Sequence, residues 1–477
     1  MKIAYLHYHL KTGGVTTVLK QQLATLAHHI EPLVITGYPP TTPWEAATVH
    51  IPEVGYSNDF AGSIQPMRAA RKIIKAIRAE FNGPCDLVHV HNPTLAKNRY
   101  FLAILKLLQQ EGLNLLLQIH DFAEDGRPLA YFSDPYPSDC HYGVINRRDY
   151  QILIKSGLKQ DGLHLMENAV TIPALASKTA LEDPMVLYPI RAIRRKNIGE
   201  AILLSLFLGP AQAVVITLPP NSPADKNSYR AWKNFVRDQN LSVTFDQGLR
   251  HDFETLVSSA GLLISTSITE GFGFSFLEPW LFGKLLWGRK LADICRDFES
   301  NGLSLEHLYT GLYVPTDWIG LQQFRTRWHE CVLKAARLFN LSIDDARLRN
   351  AFDHLTSDAL IDFGLLDESA QKQVILHAVS RGTDRARLIQ INPFLAAPGT
   401  VCAKNDLIEN NKQAVLKNYS PDRYRQKLLD VYRKVRTTPI RQKIDKTVVA
   451  SSFLDLEKFS LLKWSEYTEV KFRNSGI

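Results

Sequence analysis

Twice along this chain, short apolar runs alternate with segments whose apolar residues recur at helical spacing, and this double rhythm constrains the fold more than any other feature. The first set of strand-like runs is Lys2–Tyr8, Pro32–Thr36, Leu87–His91, Leu115–Ile119, Tyr142–Ile145 and Gly162–Met166. Between the first two, Leu19, Leu23 and Leu26 share one face of a helical segment over residues 17–27. Strands separated by helices pair in parallel, and the helices then cover both faces of the sheet. The rhythm restarts with a strand at Met185–Pro189, a helix at 197–208 and a strand at Ala213–Leu218. It continues with a helix at 227–239, a strand at Ser242–Phe245, a helix at His251–Ser259 and a strand at Gly261–Thr266. The expected class is α/β: two Rossmann-like, doubly wound parallel-sheet domains in succession.

A chain of 477 residues suits two or three domains. The polar segment 168–184, with Pro173 and Pro184, is the expected linker. Residues 1–175 then form the first domain and 176–417 the second. Within the second, 318–390 reads as helical with no clear strand. Ser420-Pro421 opens a further helix to about Arg436, with Ser as N-cap and Pro at the first helical position. Residues 201–218 carry no charge, but Gly209-Pro210 interrupts them. They read as a buried helix and a buried strand, since a membrane span needs roughly 20 unbroken apolar residues. Met1–Leu6 reads as a strand and not a signal peptide, so a cytoplasmic location is expected. The five cysteines are widely spaced, without a C-x-x-C pair, and are read as reduced thiols.

Charge narrows the partners. Residues 1–170 hold 16 basic and 15 acidic side chains, whereas 381–477 hold 19 and 10. The basic C-terminal segment suits a solvated helix face or a peripheral contact with an anionic membrane. Basic patches interleaved with aromatics are missing, so no nucleic-acid partner is expected.

The stretch Thr266-Ser267-Ile268-Thr269-Glu270-Gly271-Phe272-Gly273-Phe274-Ser275-Phe276-Leu277-Glu278-Pro279 carries the most chemistry. It runs from a strand through a glycine loop to a helix start, with two glutamates eight positions apart. Glycines admit close approach of backbone to ligand, and a helix N-terminus offers N–H groups to phosphate. Carboxylates accept strong hydrogen bonds from sugar and ribose hydroxyls. Arg191 and Lys196 stand five apart where the second domain's first strand ends, in Tyr188-Pro189-Ile190-Arg191-Ala192-Ile193-Arg194-Arg195-Lys196-Asn197. A planar fork and a mobile ammonium suit a departing diphosphate. Arg194 and Arg195 are expected to face solvent. Lys11-Thr12-Gly13-Gly14 forms a tight turn after the first strand. His120 ends the strand at Leu115–Ile119, followed by Asp121, Glu124, Asp125 and Arg127, with Asp121 placed to orient the imidazole. In Val88-His89-Val90-His91-Asn92-Pro93 both histidines point to one strand face, with Lys97 and Asn98 beyond.

In the glutamate motif the chain resembles the large retaining GT-B glycosyltransferase family with an E-x(7)-E motif, which includes phosphatidylinositol mannosyltransferases and sucrose-phosphate synthases. The resemblance runs in order over residues 1 to about 290, and over a helix near 420–436. It implies the GT-B fold, with a cleft between the two domains, and packs the crossover helix and tail (418–477) back on the first domain. It implies transfer of a hexose from a nucleoside-diphosphate sugar to an acceptor hydroxyl, with retention and by a front-face route. Glu270 would face the donor hexose and Glu278 the ribose hydroxyls. The amides of Phe272, Gly273 and Phe274 would lie along diphosphate and sugar, and Gly14 against the donor phosphate. Arg191 and Lys196 would clamp the diphosphate, and His120 would contact the reacting sugar. Ile190 departs from the family's usual Gly before the Arg. The acceptor would meet His91, Asn92, Asp121 and Arg127.

No two aspartates stand two apart, so the D-x-D pair of metal-dependent single-Rossmann transferases is missing, and neither a metal nor a cofactor is expected. Two other readings of the same fold are a sugar-nucleotide epimerase and a catalytically silent nucleotide-sugar-binding module. The first lacks this glutamate motif; the second is at odds with five intact polar residues, Glu270, Glu278, Arg191, Lys196 and His120.

Overall fold

The computed structural model describes residues 1–40, 42–59, 64–171, 185–209 and 212–468. Most of the expected linker, from residue 172 on, lies outside the described residues, as does Pro210. The chain divides into two compact units, one of Met1–Thr171 with Asn418–Leu454, the other of Ile172–Lys417 with Asp455–Ile477.

The first unit is built on seven strands: β1 (Lys2–His7), β2 (Glu31–Thr36), β3 (Ala47–His50), β4 (Leu87–His91), β5 (Leu115–Ile119), β6 (His141–Val144) and β7 (Leu163–Leu165). They pair in parallel in the order β3-β2-β1-β4-β5-β6-β7. Every residue of β4 and β5 is buried, as a sheet covered on both faces requires. β3 is four residues long and only half-buried, too short to announce itself in the sequence. The helix Pro421–Thr437 starts where Ser420 accepts from the Arg423 amide. Its Tyr424, Leu428 and Tyr432 join Ile3, Tyr5, Leu19 and Leu116 in one core.

The second unit holds β8 (Met185–Arg191), β9 (Ala213–Leu218), β10 (Val243–Thr244), β11 (Ala260–Ser265) and β12 (Leu286–Gly288), parallel in the order β10-β9-β8-β11-β12. Pro189 sits in the central strand β8, where it has no N–H to donate; the register against β9 shifts between Tyr188 and Arg191 to absorb it. Helices Leu321–Leu338, Asp345–Leu355, Glu368–Ser380 and Gly382–Ile391 fill the helical region. That region does contain a strand, β14 (Leu360–Asp362), antiparallel to β13 (Tyr313–Pro315). Three residues are too few to show a period of two. Residues 455–468 belong to the second unit, whereas the sequence reading puts the whole of 418–477 on the first. Their anchors are Arg194, whose guanidinium donates to the Ser465 carbonyl, and Ser460, whose hydroxyl donates to the Gly364 carbonyl at 2.7 Å.

No described helix is long and apolar enough to cross a membrane. The uncharged stretch resolves into a helix Ile198–Leu204, a short 3-10 turn Ser205–Phe207 and β9.

Candidate active site

Both sheets are doubly wound, and in such sheets ligands collect at the carboxyl ends of the strands, where the winding reverses. In the second unit the reversal falls between β8 and β11. The loops leaving those strands are 192–197 and 266–277, so the topology brings the Arg-Lys segment and the glutamate motif together across some 70 residues of sequence. Hydrogen bonds tie the loops: the Ile268 amide donates to the Arg195 carbonyl at 3.1 Å, and the Thr266 hydroxyl to the Asn197 carbonyl at 3.0 Å. The buried Tyr188 hydroxyl donates to the Lys196 carbonyl and lies 3.1 Å from Ser267 Oγ.

Against this braced backbone, Lys196 Nζ forms an ion pair with Glu270 Oε1, and both side chains are largely buried. Burial alone raises a carboxyl's pKa, yet the Lys196 ammonium and the Ser267 hydroxyl outweigh it and hold Glu270 below the usual range. Glu278 is the opposite case. It opens the short helix Glu278–Leu281, and burial without an offsetting charge pushes its carboxyl up to about 7. Between them Gly273 adopts φ +93, a conformation L side chains rarely take, and a Cβ there would press on Ile294, Phe276 and Phe298. Phe272 is buried against Phe274 and Phe298, which fixes the loop from inside.

Arg191 ends β8, and its Nη1 donates to the Pro219 carbonyl at 2.9 Å and to Asn221 Oδ1 at 2.7 Å. Arg194 does not face solvent. Its Nε and Nη2 reach the two oxygens of buried Glu368 at 2.5 and 2.8 Å, and Glu368 also accepts from Ser228. This correction has a plain cause: the partner is 174 positions away and invisible from local sequence. Sequence reading also misses Arg289, just past β12, which donates to Glu200 and Asp362 while Tyr309 donates to Glu200 at 2.7 Å. Glu200 as a lone charge in the apolar run 198–208 was the available signal.

In the first unit the reversal falls between β1 and β4. Gly14 begins the helix Gly14–Leu26, whose N-terminus has no side-chain cap and no acidic residue in its first turn. A Cβ at Gly14 would meet nothing within 4 Å, so space and not strain surrounds it. His120 is buried, its Nε2 lying 3.0 Å from His91 Nδ1 with the rings stacked. Desolvation lowers its pKa to about 4, which leaves the His120 imidazole neutral at pH 7, and burial likewise drives His91 well below the ordinary imidazole range. The orienting partner of His120 is thus His91. Asp121 instead accepts from Arg127 at 2.6 Å. Asn92, at φ +56, turns its side-chain oxygen onto the amides of His120 and Asp121, both at 3.0 Å, which fixes the end of β5. Glu124 is buried and accepts from Tyr136, and Asp125 pairs with Arg148. His89 bridges Tyr432 and Gln118 inside the core.

A cavity of about 490 Å³ opens elsewhere in the first unit, beside β7, lined among others by Arg147, His164 and Lys434. It contains none of the candidate residues. Among the described residues, no cluster of three or more His, Cys, Asp or Glu is placed to hold a metal.

No protein-family model matches the chain. It is 25% identical over 418 residues to the mannosylglucosyl-3-phosphoglycerate synthase of Petrotoga mobilis, spanning 79% of this chain and 81% of that one. Among solved structures, the sucrose-phosphate synthase of Thermosynechococcus elongatus superposes with a TM-score of 0.53 at 14% identity, over 91% of this chain and 98% of the other. HepE of Anabaena, solved with UDP and glucose, superposes at 0.52 and 13% identity, over 90% and 99%. The fold is GT-B, as the resemblance implies, and the chain is similar along most of its length to glycosyltransferases.

Proposed function

We propose that this chain is a retaining glycosyltransferase that moves a hexose from a nucleoside-diphosphate sugar to an acceptor hydroxyl without a bound metal. The observation that carries this reading is the Lys196–Glu270 pair at the point where the second sheet's winding reverses. It sets an ammonium for a diphosphate beside a carboxylate for a sugar hydroxyl, on loops braced by backbone hydrogen bonds. Glu278 holds the ribose, and the amides of Phe272, Gly273 and Phe274 run along the donor. Arg191 and Lys196 stabilise the charge that grows on the leaving diphosphate, which is where cations accelerate such a reaction. Gly14 lets the uncapped helix N-terminus approach the phosphate. Neutral His120, held by His91, exchanges a hydrogen bond with the sugar. UDP and glucose in HepE make UDP-glucose the first donor to try.

The test is a panel of UDP-, GDP- and ADP-hexoses with the full-length chain, read by thermal shift and by release of nucleoside diphosphate. One donor should raise the melting temperature, and Glu278→Ala should abolish that rise. A flat response to every donor would overturn the assignment.

A further inference from the structure

We propose that the acceptor is an anion, its phosphate or carboxylate held by Lys11 and Lys97 at the point where the first unit's sheet reverses its winding. This rests on the transferase reading above and names the class of acceptor.

Lys11 lies on the loop leaving β1 and Lys97 on the loop leaving β4, the two strands that flank the reversal. Two tyrosines in edge-to-face contact bridge them. The Lys11 ammonium sits 4.6 Å from the Tyr38 ring centroid, Tyr38 and Tyr56 meet edge to face at 6.1 Å, and the Lys97 ammonium is 5.8 Å from Tyr56. His9 Nε2 lies 3.0 Å from the Tyr56 hydroxyl on the same wall. Arg127 approaches Lys97 closely enough to repel it.

The charges in this group are unevenly spent. Arg127 is neutralised by Asp121 at 2.6 Å. The other nearby carboxylate, Asp59, accepts from Tyr38. Neither lysine forms an ion pair among the described residues, although Lys97 feels some attraction from Asp121. Lys97 is exposed by surface yet partly desolvated, and its ammonium is pushed below the ordinary lysine range by burial first and Arg127 second. His9 is likewise pushed below the ordinary imidazole range, by burial first and then by Lys11 and Lys97.

The loop is also built to hold that geometry. Asn98, fully buried, donates from its amide nitrogen to the carbonyls of Glu53 and Gly55, both at 2.8 Å, and accepts from the Tyr100 amide. The Ser57 amide donates to the Lys97 carbonyl at 2.9 Å. Lys97 on a loop braced in this way and Lys11 on the other side of the two tyrosines, both without an ion-pair partner among the described residues, form a receptor for a ligand that supplies the negative charge. The partly desolvated Lys97 ammonium gains more from such a ligand than a fully solvated one would.

The experiment pairs acceptors that differ only in charge: glucose with glucose 6-phosphate, and glycerol with glycerate and with glycerol 3-phosphate. Nucleoside-diphosphate release is measured on the full-length chain. The charged member of each pair should be preferred at least tenfold in kcat/KM, and the phosphate and carboxylate arms distinguish the two anions. Lys97→Ala and Lys11→Ala should each raise KM for the anionic acceptor about tenfold, leaving donor KM unchanged. Binding of inorganic phosphate, followed by calorimetry with and without Lys97→Glu, reads the site without turnover. Equal use of neutral and charged acceptors, with phosphate binding absent or indifferent to Lys97, would overturn the inference. If no donor binds while phosphate still binds through Lys97, the anion site stands and the transferase reading is what fails.

Discussion

Around their winding reversals the two units bury polar side chains in different ways. The second pairs full charges: Lys196 with Glu270, Arg194 with Glu368, and Arg289 with both Glu200 and Asp362. The first stacks neutral rings. His7, His89, His91 and His120 are all driven toward neutrality by desolvation, and they hydrogen-bond with Tyr432, Gln118, the His91 carbonyl and one another. A site for a diphosphate needs cations that survive burial, and carboxylate partners provide that. A site that exchanges hydrogen bonds with hydroxyls works with neutral donors and acceptors, and imidazoles kept uncharged suit it. The ion pairs of the second unit therefore differ among themselves in purpose, and mutation can separate them.

Arg194→Ala breaks this comparison most severely. It leaves Glu368 buried with a charge and removes the anchor of residues 461–465. Breaking such a pair costs about 3–5 kcal/mol, so denaturant melts should show a large loss of stability. Arg194→Met, which removes the charge but keeps bulk, should be similarly harmful, while Arg194→Met with Glu368→Leu should recover most of the loss. A stable Arg194→Ala protein would mean the pair is not the structural strut it looks.

Lys196→Ala tests the other kind of pair. Its effect should appear in turnover more than in folding, because the ammonium acts on charge that develops as the diphosphate leaves. Loss of one such contact costs about 2–4 kcal/mol in the transition state, or roughly 30- to 1000-fold in kcat. Donor affinity, measured by calorimetry, should fall far less. Equal losses in affinity and turnover would reduce Lys196 to a binding residue, and an unfolded variant would place it with Arg194.

This division explains what was legible in the sequence. Alternating strands and helices gave both sheets, since a period of two or 3.6 needs only neighbours. The segments 191–197 and 266–278 were legible because each contains its own spacing. Arg194 was misread as solvent-facing because Glu368, its partner, lies on a helix in a region without recognisable pattern. The link from His120 to His91, the use of Asn92 to fix the end of β5, and the Arg289 network were hidden for the same reason: each is a contact between strand ends or helices far apart in sequence. The three-residue strands β13 and β14 were hidden by shortness alone.

Glu278 supplies the finest test, because within the second unit it is the motif carboxylate without a cation. Burial raises its pKa to about 7, with no offsetting charge. The folded chain therefore binds a proton there between about pH 4.5 and 7 that the unfolded chain has released, and stability must fall as pH rises through this window. Glu278→Gln, which cannot ionise, should remove that component of the decline and make the protein more stable than the parent at pH 8 but not at pH 4. Donor binding should run the other way. Ribose hydroxyls donate to the carboxylate and favour its charged form, so binding must release the proton below pH 7. Donor affinity should then weaken as pH falls from 7, by up to about tenfold per unit, and calorimetry in buffers of different ionisation enthalpy should register the released proton. In Glu278→Gln the affinity should be lower at pH 8 and nearly flat with pH. A parent protein whose donor affinity is equally flat from pH 5 to 8 would show that Glu278 does not meet the ribose as a carboxylate, and the contrast with the charge-paired Glu270 would lose its functional meaning.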